Sequence, residues 1–424
     1  MDSGGIIEAP EDNEESEDKK KAKKTTAFGK IATAIGKMQA NGVTVAPPDI
    51  NNASYSFTPN EENNIIYYGL SGIVRIGGEV INNILMNRPY TSWKDFLSKV
   101  KVNKTQMVNL IKSGAFDSFG DRVEIMKEYN SSISGKKSRL TLQNLGGLIS
   151  CGLVPKEYDF EVRVYNFNKY LKKNKYDKYY VLDSIAYGFF EKNYDVDILE
   201  EVDGKTCILQ SRWDNLYQKS MDVLRNWLSK CKEQKLEEYN NILEKESWDK
   251  YCEGNLSKWE MDSVSFYSHD HELKRFRGDL YGVKDFEKLP KEPRVETHIY
   301  IKDKKIPIFQ IDRIAGTVLD KDKAKNIITL LTTSGVVQVK LFGPVFTNYD
   351  KQISEKGADG KKSVLEKSWF TRGNKLIFTG IRRGESFFAK KYKKTPYHLC
   401  EKIEEIYDDG TVSLVSSRYG EEEE

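Results

Sequence analysis

Three changes of texture along the chain predict a multidomain α+β fold. Residues 65–129 are short stretches with helical apolar spacing, parted by turns of a few residues. Residues 156–262 combine ambiguous runs with one long helical stretch, "NLYQKSMDVLRNWLSKCKEQKLEEYNNIL". From Val295 onward, β-branched runs alternate with a period of two and are parted by Gly, Asp or Lys turns. A chain of 424 residues has room for roughly two to four domains. Its 38% hydrophobic residues suffice for several modest cores.

The elements follow in order. Residues 1–26 hold eight acids over Asp2–Asp18 and then the lysines of "KKKAKK", a charged lead expected to be solvated and disordered. In residues 27–60, Ile31, Ala34, Ile35 and Met38 recur at helical spacing, Asn41-Gly42 closes that helix, and "VTVAPPDIN" reads as a short strand. Residues 61–130 read as an all-α module of four helices: "GGEVINNILMNR", "SWKDFLSKV" capped by Ser92, "NKTQMVNLIKSG" stopped by Gly114, and "DRVEIMKEYN". Residues 131–262 form a mostly helical middle region, in which "YYVLDSIAYGFF" and "KTCILQSRW" fit helix or strand equally. A linker at 263–292 leads to residues 293–416. There "THIYIKDKKIPIF", "RIAGTVLD", "NIITLLTTSG", "VVQVKLFG", "NKLIFTGIRRG" and "PYHLCEKIEEIY" predict a small barrel of the OB type, with "SVLEKSW" as an intervening helix. Residues 417–424 are an acidic tail.

Several functional classes are excluded. The apolar runs are far shorter than the roughly 20 residues a membrane helix needs, and the acidic N-terminus lacks a signal pattern, so a soluble intracellular protein is expected. Five scattered cysteines without a Cys-x-x-Cys pair argue against disulfides and zinc ribbons. His269 and His271 in "SHDHEL" read as polar residues at an element boundary. The glycines of "YYGLSGIVRIGGEVINNIL" do not match G-x-G-x-x-G, and no G-x-x-x-x-G-K-[ST] occurs, so no nucleotide cofactor is expected.

The same glycines fit a helix-hairpin-helix, which presents unpaired amides at a helix N-terminus to a nucleic-acid phosphate. Gly72, Arg75, Ile76, Gly77 and Gly78 are the candidate residues. Ile76 plugs the core, Gly77-Gly78 let the backbone approach, and Arg75 stands where the first hairpin glycine is expected. "VNKTQMVNLIKSGAFDSFG" supplies a second unit, with Lys104 and Lys112 on its helices and Gly114 and Gly120 bracketing its turn. Between Lys361 and Lys394, eleven Lys or Arg face two Glu, with aromatics interleaved. That pattern marks a single-strand surface, with Arg372, Lys375, Arg382, Arg383, Lys390 and Lys391 as its charges and Phe387 and Phe388 as its stacking residues.

"GVTVAPPDIN", "RPYTSWKDFLSKV" and "NKTQMVNLIKSGAFDSFGDR" resemble one continuous segment of the bacterial replicative DNA polymerase III alpha subunit family. "WEMDSVSFYSHDHEL" and "IAGTVLDKDKAKNIITLLTTSGVVQVKLFG" resemble that family's linker and the opening of its OB domain. The resemblance covers roughly residues 27–122 and 259–407, and implies the C-terminal portion of such a polymerase: end of fingers, tandem helix-hairpin-helix and OB domain. In that family, palm aspartates hold two metal ions for phosphoryl transfer. Asp195-Val196-Asp197, an Asp-x-Asp, stands in the wrong place and reads as a loop. The resemblance therefore implies a DNA-binding part, split or truncated from a polymerase, that is non-catalytic by itself. It implies no cofactor in this chain, with magnesium in a partner catalytic chain that carries palm and fingers. Other expected partners are duplex and single-stranded DNA and a sliding clamp or clamp loader, with no membrane. The expected location is the cytoplasm of a bacterial or phage-infected cell, at the nucleoid. "QVKLF", Gln338 to Phe342, has the letters of a clamp motif but alternates as a barrel strand. The alternative reading is a replisome interaction subunit, with DNA contact incidental.

Overall fold

The computed structural model describes residues 31–420, apart from 32–33, 36–37, 39–40, 270, 302–303 and 358–361. The charged lead expected over 1–26 and the end of the acidic tail lie outside the described residues. The chain divides into two compact units, one running to Ile125 and resuming at Gly254, the other Met126–Glu253.

In the first unit, Ile31, Ala34, Ile35 and Met38 are helical as their spacing predicts, with Ile35 buried. A three-stranded sheet follows, in which Ile65–Tyr67 lies between Thr44–Ala46 and Thr58–Asn60. Four helices come next: α1 (Gly78–Met86), α2 (Trp93–Lys99), α3 (Lys104–Lys112) and α4 (Arg122–Ile133). Their starts are written in side chains. Ser92 Oγ accepts from the Asp95 amide, and Asn103 with Gln106 forms a reciprocal capping box. Ile81 and Ile84 of α1, Trp93 and Phe96 of α2, and Met107 and Leu110 of α3 are buried. Phe96 packs edge-on against both Tyr90 and Phe116.

The C-terminal part is a closed barrel. Its strands are β1 (Asp312–Asp322), β2 (Ile327–Thr332), β3 (Gly335–Lys340), β4 (Lys375–Arg383) and β5 (Ser386–Ala389). They pair in the order β1-β2-β3-β5-β4, and β4 returns to β1. The β3–β5 pair is parallel and the others antiparallel. This is the Greek-key closure of the OB type. Ile314, Val318, Ile328, Leu330, Val337, Val339, Leu376, Phe378 and Phe387 fill the interior. Cys400–Ile406 and Val412–Val415 extend the sheet beyond β4.

Two expectations change here. "SVLEKSW" is not the intervening helix: Lys362–Glu366 is a strand paired with Ile353–Lys356. The helix between β3 and β4 is Gly343–Asp350, whose proline near the first position suits a helix start. "THIYIKDKKIPIF" is not a barrel strand but a separate hairpin, Val295–Ile301 with Lys304–Phe309. The strand reading of "QVKLF" holds. Residues 338–340 pair with β2 on one edge and β5 on the other, and Val339 is buried.

One segment ties the helical module to the barrel. Helix α5 (Leu256–Ser263) and the residues after it bond both ways. The Val74 amide donates to the Ser263 carbonyl at 2.9 Å, Tyr68 Oη donates to the Val264 carbonyl at 2.9 Å, and Arg122 pairs with the buried Glu260 at 2.8 Å. On the barrel side, Arg372 donates to Ser265 Oγ at 2.8 Å, and Met261 and Tyr267 pack on Leu319.

The second unit resolves the ambiguous runs as one strand and one helix each. Tyr179–Val181 precedes helix Ser184–Asn193, and Lys205–Leu209 runs into the 42-residue helix Gln210–Tyr251, kinked at Cys231. Its cores are an aromatic cluster around Phe167, Phe190 and Trp213 and an aliphatic one around Leu145, Leu148 and Leu224. Asp195 caps a short turn by accepting from the Asp197 amide at 3.1 Å, so this Asp-x-Asp is a loop element as expected.

Candidate nucleic-acid interface

The first hairpin has the expected layout with one unexpected conformation. Leu70–Gly72 is a single 3₁₀ turn, Ile76 is buried, and α1 starts at Gly78. Arg75 adopts φ +64°, the left-handed region that glycine enters without strain. A β-carbon on Gly72 would strike the Tyr68 ring, so that glycine serves packing. Gly77 and Gly78 differ: a β-carbon on Gly77 would meet nothing within 4 Å, and one on Gly78 only the edge of Tyr55. Both are exposed, and no side chain caps α1 at Gly77. The first-turn amides and the positive end of the helix dipole are thus open to an anion. Glu79 in the same turn opposes that field.

The second unit opens at a different turn from the one expected. Lys112 is about nine-tenths buried. The turn between Gly114 and Gly120 is filled by Arg122, which pairs with Asp117 at 2.5 Å and Glu260 at 2.8 Å. The accessible end is instead the start of α3, where Lys104 is exposed. Arg75, Asn103, Lys104, Thr105 and Gln106 line one shallow cleft, so the first hairpin and the second helix start share a basic surface.

The basic C-terminal stretch sorts by register. Along β4 and β5, Arg382 pairs with Phe387 and Arg383 with Ser386. Phe387 is wholly buried. Arg382 is 2% exposed, donating to the carbonyls of Phe286, Leu289 and Gly384. Neither can touch a nucleic acid, which corrects the expectation for both. Lys375 is paired with Glu272 at 2.9 Å, and Arg372 is half-buried against Ser265. Both therefore serve the linker contact. Arg383, Lys390 and Lys391 remain exposed.

Arg383 and Lys390, with Lys340, surround rings that lie outside the barrel. Phe388 is the register partner of Lys340 on the parallel β3–β5 pair. Lys340 Nζ stands 5.0 Å from the Phe388 ring centre and the Arg383 guanidinium 5.7 Å. Arg383 also lies 5.5 Å from the Phe309 ring, and Lys390 5.9 Å from Phe309 and 5.0 Å from Tyr392. The Phe309 amide donates to Tyr392 Oη at 3.1 Å, fixing the two rings together. Phe309 and Lys340 were missed in the sequence because they lie 79 and 48 positions before Phe388. Strand register sets Lys340 beside Phe388, and packing of the separate hairpin brings in Phe309. The patch adjoins the β4–β5 turn, one of the loops by which OB folds hold oligonucleotides.

His269 and His271 are structural. His271 Nδ1 accepts from the Leu273 amide, and its Nε2 donates to the Leu331 carbonyl at 3.0 Å. Burial holds its pKa below the usual histidine value. His269 Nδ1 is 2.8 Å from Glu260. Among the described residues, no group of three or more His, Cys, Asp or Glu could hold a metal ion, and no helix is long and apolar enough to cross a membrane.

The helix-hairpin-helix motif family matches residues 42–125. The DNA polymerase III subunit alpha of Thermus aquaticus is 36% identical over 104 residues, covering 23% of this chain and 8% of that protein. That of Campylobacter jejuni is 31% identical over 153 residues, covering 31% of this chain and 13% of that protein. Over these segments the chain is similar to the DNA polymerase III alpha subunits. The probable DNA polymerase YorL of Bacillus subtilis is 40% identical over 431 residues, which is 99% of this chain and 32% of YorL. The chain thus spans about a third of the length of that relative. The YorL similarity carries through the middle unit, where the sequence resemblance to the alpha subunits is loose.

Proposed function

We propose that this chain is a DNA-gripping part of a replicative polymerase of the alpha-subunit type. The first hairpin and the α3 start take the backbone of a duplex, and the barrel holds single-stranded template. The observation that carries the reading is the patch of Phe388, Phe309 and Tyr392 under Lys340, Arg383 and Lys390. Rings that accept bases, set among cations that accept phosphates, are what sequence-independent single-strand binding requires. The open amides at Gly77 and Gly78 support the duplex contact, which reads the backbone and carries no sequence information. In this reading the two-metal phosphoryl transfer belongs to palm residues of the polymerase, and this stretch positions its substrate.

The test is single-strand affinity by fluorescence anisotropy. Phe388→Ala and Arg383→Ala are each expected to weaken binding of an oligothymidine by about tenfold, since one stacked base contributes about 1–3 kcal/mol. Unchanged affinity in both variants would remove the barrel from the reading. Loss of complex assembly with DNA binding intact would favour the replisome interaction subunit.

A further inference from the structure

The hairpin Val295–Ile301 with Lys304–Phe309 forms its own two-stranded sheet, outside the barrel. An isolated hairpin of this size is marginal in water, so both of its faces raise the question of what they meet. Register divides them. Thr297 opposite Ile308 and Ile299 opposite Ile306 lie on one face, which is mostly aliphatic and ends in Lys304 at the turn. His298 opposite Pro307, Tyr300 opposite Lys305, and Phe309 opposite Val295 past the bulge lie on the other. None of these six residues is acidic, and the one acid of the hairpin strands is the exposed Glu296, at the bulge between Val295 and Thr297. Tyr300 is 72% exposed, and His298 and Lys305 are exposed beside it.

The second face is continuous with the barrel patch. Phe309 is its base, and the Phe309 ring is the one under Arg383 and Lys390. Lys305 lies four residues along the strand from Phe309, or about 13 Å at about 3.3 Å per residue. Tyr300 and Lys305 thus repeat, one step outward, the pairing of ring and cation that Phe388 and Lys340 make on the barrel.

We infer that this hairpin is an arm that lengthens the single-strand path, with Tyr300 stacking on a base and Lys305 meeting a phosphate beyond the barrel platform. The inference rests on the proposed barrel reading for the continuity of the path. It also makes a demand of its own: the arm matters only for a strand long enough to reach it.

Length dependence therefore tests it. Oligothymidines of about 6 and about 20 nucleotides lie near the lower end of, and above, the roughly 4–16 nucleotides that single OB folds cover. In the full chain, Tyr300→Ala and Lys305→Ala together are expected to weaken the longer oligonucleotide by about tenfold and to leave the shorter one within about twofold. Both side chains are exposed, and an unchanged thermal midpoint checks that the fold is kept. Equal affinity of variant and wild type for the longer strand overturns the arm. An equal loss for both lengths also overturns it. Phe388→Ala separates the two ideas. If it abolishes short-strand binding while the arm variant binds the long strand normally, the platform stands and the arm falls. If it leaves the short strand unaffected while the arm variant loses the long one, the arm's own contact stands, and the barrel platform and the continuous path across it fall.

Discussion

Arg75 is the residue that most changes meaning between sequence and structure. A side chain at φ +64° costs about 1 kcal/mol relative to glycine, and glycine returns a similar amount as unfolded-state entropy. Arg75→Gly should therefore shift unfolding free energy by less than about 1 kcal/mol, measured by denaturant titration. Duplex affinity should fall, with the salt slope shallower by about one. Glu79→Gln should act in the other direction, raising duplex affinity about two- to fivefold by removing a carboxylate from the α1 N-terminus. Duplex affinity unmoved by either change would mean that the hairpin does not face DNA. His271 gives a pH prediction. Its folded pKa lies below its unfolded value, so below about pH 6.5 the unfolded chain binds the extra proton. Stability should be full above that pH and fall as the pH drops through the window beneath it. Thermal midpoints at pH 7.5 and 5.5 should show this, and His271→Gln should flatten the slope.

At the scale of elements, β4 and β5 show why adjacent residues of one kind play opposite parts. Arg382 and Arg383 are indistinguishable as letters, as are Phe387 and Phe388. In a strand, successive side chains face opposite ways, so one of each pair must point inward. The alternation itself was legible, but its phase was not, because it depends on how β5 pairs with β3 and β4. The outcome separates by experiment. Arg382→Ala should destabilise the fold by about 3–5 kcal/mol, because it removes a buried cation from three carbonyl acceptors. Arg383→Ala should leave stability within about 0.5 kcal/mol and lower single-strand affinity, since it is exposed. Urea unfolding and anisotropy on the same two variants would expose the reverse pattern. The misplaced helix has a similar cause. "SVLEKSW" is too short for propensity to decide, and pairing with Ile353–Lys356 made it a strand.

For the whole molecule, the relevant quantity is charge by location. The formal net charge of +3 is nearly neutral, so no global field pulls DNA in. Much of the basic excess after residue 361 is consumed internally: Arg382 by carbonyls, Lys375 by Glu272, and Arg418 by Glu366 and three carbonyls. What remains is Lys340, Arg383 and Lys390 around the rings and the exposed Lys391 next in sequence. If each meets one phosphate, log affinity for a single strand should fall against log salt with a slope of about −3. A slope near −5 would mean that the three internally paired cations also contribute, and a flat response would exclude a phosphate-held strand.

The sequence by itself determined most of the helices and barrel strands, the helix cap at Ser92, the OB-type barrel and the kinship to a polymerase segment. Those follow from local periodicity and from words of residues in order, both written along the chain. Tertiary structure alone decided which cations reach solvent, which phenylalanine of a pair faces outward, and that Arg122 and Glu260 close the turn expected to be open. It also decided that Phe309, Lys340 and Phe388 stand together. The physical reason is the same in each case. Burial and juxtaposition depend on register and on partners dozens to more than a hundred residues away, and no local pattern carries that information.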